Sequence, residues 1–316
     1  GEVMTTIPTL RGTIKTSELG FTLMHEHIFL HSPTLYANYP QLFDRNAEVQ
    51  AAVAFCEEAR RAGVNTIVDL TTVDLGRDIR LMAEVAEQTG LNILAATGIH
   101  LNVPNYFRRK TPDRVVELYV QDLTDGIAGS GIRAATIKIA TEEYGPEDEL
   151  QLRAAALAHR ATGAPIMTHS NPLVGSGRDQ QHVFSAEGVD LSRVVIGHSG
   201  DSTDLDYLSN LMEHGSTIGM DRFGADIAAT TEERIDTIAK LCQRGYADRM
   251  VLSHDTSPHM HGVPRSILNE AMPEANFLTV SKIVLPALRE RGIDESQIDA
   301  MTISNPRRLF EEQRPY

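Results

Sequence analysis

Residues 160–169 read RATGAPIMTH: the basic end of an amphipathic helix, a glycine at 163, then a short apolar run that closes on a histidine. The same order recurs in RAGVNTIVDL (61–70), EHGSTIGMD (213–221) and QRGYADRMVL (243–252). Glycine stops each helix because it takes up left-handed backbone at little cost, and the chain enters a strand a few residues later. Working outward from this unit, eight apolar, β-rich runs stand out, at 21–24, 66–70, 93–96, 135–140, 165–169, 194–198, 216–220 and 250–253. They are continuous rather than alternating, the habit of strands covered on both faces in a parallel sheet. Helical periodicity fills the gaps at 46–62, 79–89, 112–127, 146–161, 203–214 and 231–244. Repeated strand–helix–glycine–strand units make right-handed crossovers, and eight of them close a (β/α)8 TIM barrel. The expectation is one α/β domain over 4–316, with a helical tail at 296–312. An open doubly wound sheet is the alternative, but it calls for a glycine-rich turn after its first strand, where this chain has His25-Glu26-His27.

Composition narrows the function. The chain has 316 residues, 41% of them hydrophobic, with 29 Lys and Arg against 43 Asp and Glu, for a formal charge of −14. That balance disfavours a surface that must neutralise nucleic-acid phosphates or sit on anionic lipid. No apolar run approaches a transmembrane span and the start lacks a signal-peptide pattern, so a cytoplasmic protein is expected. Gly1, Glu2 and Val3, ahead of Met4, read as a cloning remnant. Cys56 and Cys242 lie far apart inside helical patterns and are expected to be buried thiols.

The chemistry gathers at the strand ends. His25 and His27 project to one face of the first strand and Glu26 to the other, the spacing with which two imidazoles grip one metal ion. Taken alone that signal is weak. It strengthens because His169 closes the fifth strand, His198 the sixth and Asp255 the eighth, and barrel strands converge at their C-terminal ends, where active sites are built. Lys138 sits in the middle of TIKIA (136–140). Burial there lowers the ammonium pKa, and a neutral amine can add carbon dioxide to give an anionic carbamate able to bridge two metals. The alternative is a lysine that snorkels from the strand end.

The set MHEH (24–27), Lys138 in TIKIA, THS (168–170), IGHSGD (196–201) and LSHD (252–255) resembles the phosphotriesterase family of the amidohydrolase superfamily, over about residues 11–310. The resemblance implies two divalent ions, zinc first and cobalt, iron or manganese as alternatives. His25, His27 and Asp255 would hold the more buried ion and His169 and His198 the more exposed one, with carboxylated Lys138 and a hydroxide bridging them. GMDRFG (219–224) and NPRRLF (305–310) are similar to the phosphotriesterase-like lactonases, nearest to those of actinobacterial type. A small-molecule acyl-homoserine lactone is therefore the implied substrate, and a homodimer the implied assembly. Asp255 would accept the proton of the attacking hydroxide and return it to the departing alkoxide, with Arg222 holding loops or substrate. The lactonases typically carry tyrosine in TGxY, whereas this chain reads TGIH, so His100 is either a pocket donor or base, or a wall filler. Phe107, Phe223, Met260 and Ile267 are expected to supply an apolar wall. His259 and His261 lie on a loop that could shape the pocket, while His31, His159, His182, His214 and His254 are expected to be packing or surface residues. A primary phosphotriesterase or aryl esterase, a non-catalytic metal-binding relative and a mononuclear deaminase are the rival readings.

Overall fold

The computed structural model describes residues 5–109, 111–260 and 263–316, so His261 and the expected domain start at residue 4 lie outside the described residues. In chain order its strands are β1 (Thr6–Thr9), β2 (Gly12–Lys15), β3 (Thr22–Glu26), β4 (Phe29–Leu30), β5 (Thr66–Asp69), β6 (Asn92–Leu94), β7 (Ala96–Gly98), β8 (Thr136–Ala140), β9 (Ile166–His169), β10 (Val194–Ile196), β11 (Thr217–Met220), β12 (Met250–Leu252) and β13 (His259–Met260). Each of the eight apolar runs carries barrel strand. Parallel ladders join β3, β5 and β6, and then β7 through β12 in order. The third barrel strand is divided at Ala95 into β6 and β7, and Ala135 N donates to Ala95 O at 2.8 Å across the division.

The ring closes between β12 and β3. Asp255 N donates to His25 O at 3.0 Å and His27 N to Thr256 O at 3.1 Å. Closure removes the sheet edge, and the fold is a (β/α)8 barrel. Alternation along the strands divides the apolar core in two. Leu23, Ile67, Ile93, Ile137, Ile166 and Ile218 face the helical shell. Met24, Val68, Leu94, Met167, Val195 and Val251 fill the barrel interior with Ile7, Leu19, Leu309 and Phe310. The antiparallel β1–β2 hairpin, which periodicity does not announce, and the end of the tail, Asn305–Glu311, thus contribute side chains to the inner core. A helix at Ser176–Ala186 is also absent from the periodicity reading, because its first turn is Ser, Gly, Arg and Asp rather than an apolar stripe.

Lys138 takes the inward position between Ile137 and Ile139, which face outward. The register between β3 and β5 shifts between Leu23 and Glu26, and that irregularity lets Met24 join the inner core while His25 and His27 still project into the site.

Candidate metal centre

The seam that closes the barrel also delivers the site. Glu26, buried on the far side of β3 from the two histidines, accepts from Ser253 Oγ at 2.6 Å, His254 Nδ1 at 2.7 Å, His254 N at 3.0 Å and Thr256 N at 3.2 Å. These bonds fix the segment on either side of Asp255, which bends through a left-handed φ of 52°. His198 does the same at the end of β10, with φ 59°. Backbone held in that region by non-glycine residues costs about 1–3 kcal/mol each, and surrounding bonds must impose it. At Gly98 a side chain is excluded outright: φ is 116° and a Cβ would overlap the Lys138 carbonyl.

Three imidazoles aim Nε2 at one carboxylate. His27 Nε2 lies 3.1 Å and His25 Nε2 3.5 Å from Asp255 Oδ1, and His198 Nε2 lies 3.6 Å from Asp255 Oδ2. Each ring is held from behind through Nδ1: His27 by Thr71 Oγ1 at 2.8 Å, His198 by Asp221 Oδ1 at 2.7 Å, and His25 by Asp221 Oδ2 at 3.4 Å. Such outer partners fix tautomer and ring direction in metal sites. The His169 ring stands edge-on to His198, with centroids 4.6 Å apart, and to His100 at 4.9 Å, while its Nε2 bonds Glu142. Lys138 Nζ donates to His100 Nδ1 at 3.2 Å. The five residues expected at the strand ends are therefore together with Lys138, and His100 stands beside Lys138 while also lining a cavity with Leu101 and Val103.

Electrostatics follow from burial. Burial draws the Lys138 ammonium down to about 8, against a smaller upward pull from Asp255. Burial, reinforced by Lys138, keeps His100 neutral, and burial likewise lowers His169 and His198. Burial would raise the Asp255 and Asp221 carboxyls, but the His198 and His25 imidazoles outweigh it and hold both well below the usual carboxylate range. Arg222 is drawn into the site: Nε donates to Asp255 Oδ2 at 3.0 Å and a terminal nitrogen to Asp201 Oδ2 at 2.9 Å. Asp201 in turn accepts from the buried Arg234 at 2.8 Å.

Asp221, Glu26, Thr71, Asp201 and Glu142 received no role from sequence reasoning. Asp221 had a signal, since it follows β11 inside GMDRFG, a carboxylate at the end of a barrel strand. The expected apolar wall needs correction. Phe223 is fully buried in the shell core, and Phe107 is buried beside Tyr119, with ring centroids 6.2 Å apart. Their rings fill the packing behind the loops because nothing polar on them requires exposure. Met260 is half-buried and Ile267 is exposed.

The phosphotriesterase family model matches residues 5–310. A protein named phosphotriesterase homology protein, from Mycobacterium tuberculosis, is 45% identical over 99% of this chain and 100% of its own length. An aryldialkylphosphatase from Saccharolobus solfataricus is 34% identical over 95% of this chain and 98% of its own. The solved structure of the phosphotriesterase from Mycobacterium tuberculosis superposes with a TM-score of 0.95 at 44% identity, covering 99% of this chain and 100% of that one.

Proposed function

Because the chain belongs to the phosphotriesterase family of hydrolases, we propose that it is a metal-dependent lactonase that opens acyl-homoserine lactones, a quorum-quenching reaction, with weak activity on phosphotriesters. The donor set fits two divalent ions, zinc first. His25, His27 and Asp255 would hold one, His169 and His198 the other, and Lys138 as N6-carboxylysine would be shared. The fit rests on His25, His27 and His198, whose Nδ1 atoms are already engaged and leave Nε2 for a cation, and on an inward lysine whose ammonium is weakened by burial. When bound, such ions acidify water and polarise a carbonyl oxygen.

The chain's own groups supply the rest. Asp255, kept ionised by its neighbours, accepts the proton of the attacking water and returns it to the ring oxygen as the ester bond breaks. Arg222 holds the Asp255 carboxylate in place. His100, neutral and 3.2 Å from Lys138 Nζ, orients the lysine.

One observation favours a lactone with an acyl chain. The loops that follow the barrel strands expose large apolar side chains: Leu101 and Tyr106 after β7, Leu173 and Val174 after β9, Ile227 after β11 and Ile267 after β12. Apolar side chains exposed on the loops around the strand ends suit an alkyl tail better than a small polar substrate. The test is kcat/KM across acyl-homoserine lactones from butanoyl to dodecanoyl, beside paraoxon. A rise with chain length supports the reading; a flat series, or paraoxon turned over faster than every lactone, overturns it. The second result would favour a primary phosphotriesterase, the reading suggested by the name of the Saccharolobus relative.

A further inference from the structure

A second group of metal-ligating side chains lies outside the site just described. His31 follows β4, Glu48 sits in the first turns of the helix Arg45–Arg61, and His259 begins β13. Glu48 Oε2 lies 2.9 Å from His31 Nε2, and Glu48 Oε1 lies 3.2 Å from His259 Nε2. The ligand atoms of all three fall within 4.8 Å of one another.

The group is buried, and Glu48 and His31 in it are under-satisfied. The His31 side chain is 0% exposed, Glu48 5% and His259 14%. Among the described residues Glu48 Oε1 accepts no hydrogen bond, although His259 Nε2 is near, and His31 Nδ1 has no partner either. Aromatic rings enclose His31: Tyr36 stacks on it with centroids 4.1 Å apart, Phe29 at 5.8 Å, and Phe43 meets it edge-on at 5.5 Å. A carboxylate withdrawn from water needs a compensating cation. Here the groups pointing at it are two imidazole Nε2 atoms, which together with the carboxylate make the two-histidine, one-carboxylate set that zinc takes with a fourth position left for water.

We propose that His31, Glu48 and His259 bind a third divalent transition-metal ion, of the zinc class, separate from the pair assigned to the strand ends. Its role is that of a staple. β4 pairs in parallel with β13, Phe29 opposite His259 and Leu30 opposite Met260, so the ion ties the loop that leaves His27 to the loop that leaves Asp255 and anchors both to a shell helix. The site stands on its own three side chains and does not depend on the substrate.

Metal-free full-length protein titrated with Zn²⁺ against a chromophoric chelator tests this, comparing wild type with Glu48→Gln and His259→Asn. Each variant should bind one equivalent fewer than wild type, and each should lose part of the zinc-dependent rise in Tm. Equal zinc counts in wild type and His259→Asn, whose changed side chain is the most exposed of the three, would overturn the proposal. A crystal of zinc-soaked wild type gives an answer that does not depend on variants folding. An anomalous peak about 2.0–2.2 Å from His31 Nε2, His259 Nε2 and a Glu48 oxygen supports the site, and none there overturns it. Loss of metal in Lys138→Met reports on the other centre, so the two readings fail separately.

Discussion

Asp221 determines how firmly two of the imidazoles can be aimed, since its carboxylate accepts from His198 Nδ1 and from His198 N while also facing His25 Nδ1. Asp221→Asn keeps the shape but removes the charge and one acceptor oxygen. Metal affinity should fall about 10–100-fold with the barrel intact, measured by chelator competition and circular dichroism. Lys138→Met should lose most of the metal and most of kcat/KM, and short-chain carboxylates with added metal should restore part of it. Near wild-type turnover with two metals bound would refute the carbamate. The strand-end histidines, Lys138 and Asp255 were legible in the sequence because a barrel turns "end of a strand" into "same face". Their supports were not. Glu26 meets Ser253 across 227 positions, a pairing that exists only once the ring is closed, and His27 meets Thr71 across 44, where β5 lies beside β3. His100 was legible as a departure from TGxY, yet its contact with Lys138 depends on β7 lying beside β8.

The helix Pro146–Thr162 shows how an element can carry a pH dependence of its own. His159, near its end, donates from Nδ1 to Ala164 O at 2.6 Å, and its Nε2 pairs with the Tyr316 hydroxyl at 2.6 Å. Burial lowers its pKa below the unfolded value of about 6.5. Below that pH the unfolded chain binds a proton that the native ring refuses, so stability falls as pH drops from about 6.5 toward the native pKa. His159→Gln should flatten the slope of Tm against pH over that window, in thermal melts from pH 7 to 5. An unchanged slope would show that the ring charges in place. At this scale the sequence was informative wherever an apolar stripe was complete: Ile79–Thr89 matches its expected range, and Thr231–Gln243 differs by one residue. It was silent on two-residue strands such as β4 and β13, which are too short for any period to appear.

For the whole molecule, metal and stability are linked. The proposed ligands come from β3, β8, β9, the end of β10 and the segment after β12, so bound ions join both sides of the closing seam. A ligand present at a hundred times its Kd stabilises the native state by about 2.7 kcal/mol. Removing the metals with a chelator should therefore lower Tm by several degrees, reversibly on adding Zn²⁺, as followed by scanning calorimetry. No helix among the described residues is long and apolar enough to cross a membrane, in keeping with the composition. The seam between β12 and β3 also sets an order of events during synthesis. His25 leaves the ribosome more than two hundred residues ahead of Asp255, and Glu26 waits as long for Ser253, His254 and Thr256. Until they arrive, the growing chain holds imidazoles without the carboxylate on which they converge, so the full set of proposed ligands exists only after translation has passed the eighth strand.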